Sequence, residues 1–136
     1  MIVSGPENLD FTGGSGDYNA GRDIVSAAQL QNIRKYYPPS TIVSNQAALY
    51  PAAQTYMKYP KTRFQVGDRE VLLDDSVHFF QQMRGQGHDV SLQVTPNLIH
   101  CGQMLRQVFQ PGCVAIEQAA TFIKNDFLEN RNEALT

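Results

Sequence analysis

The chain has 136 residues, 42% of them hydrophobic, with 13 acidic against 11 basic side chains and a formal charge of −2. That length allows one domain or part of one, and no apolar run approaches the roughly 18 residues that a membrane-spanning helix needs. A charge so near zero, with scattered basic residues, gives no electrostatic case for nucleic acid or an acidic membrane as partner.

Ile2 to Ser4 reads as a strand. Met1 to Gly5 lacks the basic segment of a secretory signal, and its position at the start says nothing about targeting. Gly13-Gly14-Ser15-Gly16-Asp17 reads as a flexible loop that precedes another loop. It is not the nucleophile motif G-x-S-x-G, because Asp17 stands where the second glycine belongs. Ser26-Ala27-Ala28-Gln29 has the S-x-x-Q spacing of a capping box. It opens a helix with Leu30, Ile33 and Tyr37 at helical intervals, which Pro38-Pro39 stops. Ser40 to Tyr59 shows poor periodicity and reads as an irregular connection with one helical turn near Gln46 to Leu49.

Thr62 to Val66 reads as a short strand with Phe64 and Val66 on one face, after which Gly67 permits a sharp turn. The spacing predicts a helix from about Asp74 to Gly85, with Val77, Phe80 and Arg84 on one stripe. Asp74 and Asp75 lie at its start, where the helix dipole favours negative charge. Gly85-Gln86-Gly87 closes it. Val90, Leu92 and Val94 alternate with Ser91, Gln93 and Thr95, as in the last strand of an open sheet. A closing helix over Val114 to Leu128 is expected to cover the sheet with Ile116, Ala119, Ala120, Ile123 and Phe127. The order strand, helix, strand, helix, strand, helix is that of the end of a doubly wound parallel sheet.

Two segments carry candidate chemistry. Gly67 to Ser76 holds Asp68, Glu70, Asp74 and Asp75, and Pro96-Asn97-Leu98-Ile99-His100 ends in a histidine, so an acid and a histidine follow successive strands. Both side chains are expected at one rim of the sheet, which is two thirds of a hydrolytic triad. The bland alternative for His100 is a structural loop histidine. His78, on a helix, and His88, in a turn, have no acid in register and read as structural. Cys101 and Cys113 are too few for a disulfide framework and lack CxxC or Cys/His zinc spacing, so they read as apolar fillers. No metal and no cofactor is implied.

These two segments look like the acid and histidine motifs of the hormone-sensitive-lipase-like carboxylesterases, the α/β-hydrolase fold-3 family. Ile2 to Gly13 resembles that family's sixth strand and the loop after it, and Asn19 to Ser26 resembles the start of the next helix. Ala48-Leu49-Tyr50-Pro51-Ala52 and Phe64-Gln65-Val66-Gly67 continue in order. The resemblance runs over about residues 1 to 127 and implies the C-terminal part of an α/β-hydrolase fold, about three parallel strands with flanking helices. Residues 1–136 are then a partial domain, from the sixth strand to the C-terminal helix. The N-terminal half with the nucleophile is absent.

The resemblance selects Glu70 as the acid, at a position the family fills with aspartate or, in some members, glutamate, and His100 as the base. It implies hydrolysis of carboxylic esters with short or uncharged acyl groups, and self-association through the last strand as the available protein contact. The departures are as informative. There is no G-x-S-x-G and no HGGG-type segment, and Arg63 stands where the family's central strand is apolar. The expectation is an incomplete ester hydrolase that supplies the acid and histidine of a Ser-His-acid triad and is inactive alone. The alternatives are an interaction module pairing through its last strand, or one half of a split esterase.

Overall fold

The computed structural model describes residues 2–3, 13–36, 55 and 59–133. Three parallel strands, β1 (Ile2–Val3), β2 (Thr62–Gly67) and β3 (Val90–Thr95), form a sheet in that spatial order. Between β1 and β2 lie α1 (Ser15–Tyr18) and α2 (Ala27–Tyr36). Helix α3 (Leu73–Gly85) joins β2 to β3, and a short 3₁₀ helix (Gly102–Leu105) and α4 (Gln110–Glu133) follow β3. The expected capping box forms: the Ser26 amide donates to Gln29 Oε1 at 2.8 Å and the Gln29 amide to Ser26 Oγ at 3.2 Å. Tyr37, the prolines after it and most of the expected connection to residue 59 lie outside the described residues. Among the described residues no helix is long and apolar enough to cross a membrane.

The register Phe64↔Leu92 and Gly67↔Thr95 makes β2 and β3 end level with each other. Their alternating side chains divide between two layers. On one face Phe64 packs with Phe79 and Met83 of α3, its ring edge-on to Phe79 at 5.3 Å between centroids. On the other face Gln65, 2% exposed, donates from Nε2 to the Ala115 carbonyl of α4 at 2.8 Å, which satisfies a polar group the core would otherwise penalise. Arg63 does not leave this face bare. Its guanidinium lies over the Phe122 ring of α4, 4.5 Å from the centroid, and its Nε donates to Ser91 Oγ. A separate apolar cluster of Leu30, Val71 and Leu72, joined by Val25, ties α2 to the turn after β2.

Several expectations shift. Ser15 to Asp17 of the expected loop lie in α1, and Asn19 to Val25 form turns and bends before α2 begins at Ala27. Helix α3 buries Asp75, Ser76, Phe79 and Met83, so its inner stripe is rotated from Val77, Phe80 and Arg84. Exposure does not alternate along β3: Val90 to Gln93 are all half-buried, and at its end Val94 is exposed and Thr95 buried. Helix α4 starts earlier and runs further than expected, and it covers the sheet with Ala115 and Phe122. Ile116, Ile123 and Phe127 of the expected stripe are exposed.

Candidate functional site

The site is built by two turns leaving the level ends of β2 and β3. The Arg69 amide donates to the Leu98 carbonyl at 3.2 Å, the Asp68 amide to Thr95 O at 3.2 Å, and the Asn97 amide to Asp68 Oδ1 at 2.7 Å. Gly67 is required by this crossing rather than by a sharp bend: a Cβ there would sit 2.0 Å from the Leu98 carbonyl oxygen. On the far side, Gln103 Nε2 donates to Gln65 Oε1, and a Cβ on Gly112 would meet Gly102 O at 2.2 Å. The segment that bears His100 is therefore held between β2 and the first turn of α4.

This zipping brings Glu70 and His100 together. Glu70 is fully buried, and its Oε2 lies 3.0 Å from His100 Nδ1 while its Oε1 accepts the Gly67 amide at 2.7 Å. Both carboxylate oxygens are thus engaged, which fixes the direction in which the acid faces the ring. The His100 side chain is 19% exposed, and among the described residues its Nε2 has no hydrogen-bond partner. The hydrogen bond that the ring donates to Glu70 is the main cause that raises the His100 pKa above the ordinary imidazole value of 6.5. Burial opposes it, and the charges of Glu70 and Asp23 add to it. A ring held at Nδ1 by a carboxylate keeps Nε2 as the nitrogen that can exchange a proton with a substrate or nucleophile.

The other candidate acids are used elsewhere. Asp68 is exposed and caps the Asn97 amide, and Asp74 Oδ2 accepts the Ser15 amide at 2.8 Å. Asp75 is buried at the start of α3. Ser15 is no free hydroxyl: it is 5% exposed, donates to the Val71 carbonyl at 2.8 Å and accepts the Asp74 amide at 3.1 Å, closing the start of α3. His78 is exposed on α3, and His88 packs beside the Tyr59 ring before β3, away from the rim. Cys101 is exposed and Cys113 half-buried, both as free thiols. Among the described residues no group of three or more His, Cys, Asp or Glu side chains is placed to hold a metal.

Sequence reasoning misses the supports of the pair. Asn19, fully buried, donates from Nδ2 to the carbonyls of Asp68 at 3.0 Å and Glu70 at 2.9 Å. Asp23 accepts the His100 amide at Oδ1, 2.8 Å, and the Val71 amide at Oδ2, 2.9 Å. The available signal is an Asn and an Asp flanking Gly21, the residue types whose short polar side chains bind backbone in turns. Asn97 and Cys101, with φ of 59° and 53°, hold left-handed backbone on either side of His100.

The same arrangement of strands and helices occurs in known proteins. Crystal structures of a hormone-sensitive lipase from a metagenome library (TM-score 0.77, 22% identity) and of EstE5 soaked with p-nitrophenyl butyrate (TM-score 0.76, 21% identity) share the fold. So does an esterase from the bacterial hormone-sensitive lipase family (TM-score 0.72, 24% identity). The matches cover 87% to 88% of this chain but only 40% of each of those chains. No curated protein sequence matches. A family model described as "alpha/beta hydrolase fold" matches residues 2–104, and the chain belongs to that family.

Proposed function

We propose that this chain supplies the acid and the base of a Ser-His-acid site for the hydrolysis of carboxylic esters. The observation that carries the reading is the 3.0 Å contact of buried Glu70 with His100 Nδ1 at the ends of adjacent parallel strands. In this reading Glu70 fixes the ring with its proton on Nδ1. His100 Nε2 takes the proton of a serine as the serine attacks the ester carbonyl, then returns it to the departing alcohol. Water repeats the cycle on the acyl-enzyme. The 136 residues contain no G-x-S-x-G and no HGGG-type segment, so the serine and the oxyanion donors belong to another segment. Short, uncharged acyl groups are the substrates this reading favours.

The test is turnover of p-nitrophenyl butyrate. The chain alone should not exceed its His100→Ala variant, because losing the nucleophile of such a triad costs about 10⁶ in kcat. Adding a polypeptide that carries the serine motif and the oxyanion donors should give saturable turnover that Glu70→Ala and His100→Ala abolish. Saturable, His100-dependent turnover by the chain alone overturns the need for a second segment. Turnover of the mixture that survives His100→Ala overturns the role of the histidine. A second reading, an interaction module pairing through β3, is favoured by the place of β3 at the edge of the sheet among the described residues.

A further inference from the structure

We propose that Asp23 is a positioning residue for His100, joining the backbone of the histidine turn to the backbone of the acid turn through one carboxylate. The inference rests on the reading of Glu70 and His100 as acid and base. Asp23 lies in the bends between α1 and α2, and its Oδ1 accepts both its neighbour's amide, Ile24 N at 2.8 Å, and the His100 amide at 2.8 Å. Its Oδ2 accepts the Val71 amide, the residue after Glu70, at 2.9 Å. The two far contacts span 77 and 48 residues of chain, so local chain geometry does not produce them.

The consequence is a closed loop of contacts. Glu70 reaches His100 through side chains, and Asp23 joins the same two turns through their amides. The two turns that carry the ring and the carboxylate therefore cannot move apart without breaking a charge-assisted hydrogen bond outside the pair. Asn19, four residues earlier in the same segment, grips only the acid turn, through the Asp68 and Glu70 carbonyls. Asp23 alone of the two reaches both sides. Its charge also acts on the ring: among the described residues, Glu70 and Asp23 are the acids that favour the His100 cation. An acid in this place supports the imidazolium that proton abstraction creates while leaving Nε2 open.

The experiment is NMR on the whole chain with labelled histidine, in the wild type and in Asp23→Asn and Glu70→Gln, with His78 and His88 as internal references. Asn keeps an acceptor oxygen but removes the charge and presents an NH₂ to one of the two amides. In Asp23→Asn the His100 titration midpoint should fall. Amide exchange at His100 or Val71 should quicken by about tenfold or more, the loss of one bond to a charged acceptor. If Glu70→Gln lowers the His100 midpoint and Asp23→Asn leaves both midpoint and exchange unchanged, Asp23 has no positioning role and the Glu70–His100 reading stands. If neither variant moves the midpoint, the pair itself is refuted. Should Asp23→Asn fail to fold, the wild type decides. The His100 and Val71 amides should then open together at one slow rate, and fast independent exchange of the His100 amide overturns the proposal.

Discussion

A fully buried carboxylate is costly unless its oxygens are engaged, and Glu70 meets that demand with one backbone amide and one imidazole. The arrangement has a pH signature. The His100 pKa is raised in the fold, first by the hydrogen bond its ring donates to Glu70, so the folded chain holds this proton more tightly than the unfolded chain does. The stability this adds is fully present below the unfolded imidazole value of about 6.5 and is lost as pH rises through the raised value. The stability gap between wild type and His100→Ala, measured by urea unfolding, should therefore be larger at pH 6 than at pH 9. A gap that does not change over that interval contradicts the contact.

At the scale of elements, the site depends on how closely the exits of β2 and β3 pass. Gly67→Ala places a methyl 2.0 Å from the Leu98 carbonyl oxygen, and that oxygen is pinned by the Arg69 amide. Neither side is a flexible side-chain end, so the strain should cost about 2 kcal/mol or more. The urea midpoint should fall, and the His100 ring resonances should shift as its turn is pushed off β2. An unchanged midpoint and an unchanged His100 environment would show that the two turns do not cross this tightly. These turns are partly legible in the sequence. The helix-initiating Ser26 and Gln29 carry a local signal and form as expected, and 90–95 forms the expected strand although its exposure does not alternate. Asp23 and Asn19 act on residues 48 to 77 positions away, and no window of sequence carries that information.

Across the whole molecule, the order of strands and helices is legible because their periods differ, whereas the rotation of each helix is not. In α4 the stripe Ile116, Ala120, Ile123 and Phe127 is at least as apolar as the residues that cover the sheet, Ala115 and Phe122. Periodicity identifies an apolar face without saying which neighbour it meets. The outcome leaves Phe127 75%, Ile123 56% and Leu128 46% exposed. Apolar surface gathered in this way favours association. The isolated chain should elute as oligomers or aggregate in size-exclusion chromatography with light scattering and should bind an apolar dye. A monodisperse monomer that binds no dye contradicts this surface, and with it the second reading of β3 as a pairing edge.

The central claim is that Glu70 holds the His100 ring with its proton on Nδ1 and leaves Nε2 bare to act as base. The ¹⁵N chemical shifts of the two His100 ring nitrogens test it directly, read at a pH above the midpoint of the ring in the wild type and in Glu70→Ala. The neutral wild-type ring should carry its proton on Nδ1, with Nε2 showing the shift of an unprotonated nitrogen. Removing the acid should return the ring to the Nε2-protonated form that a free imidazole side chain prefers. A wild-type His100 already protonated on Nε2, or a tautomer that Glu70→Ala leaves unchanged, would contradict the account.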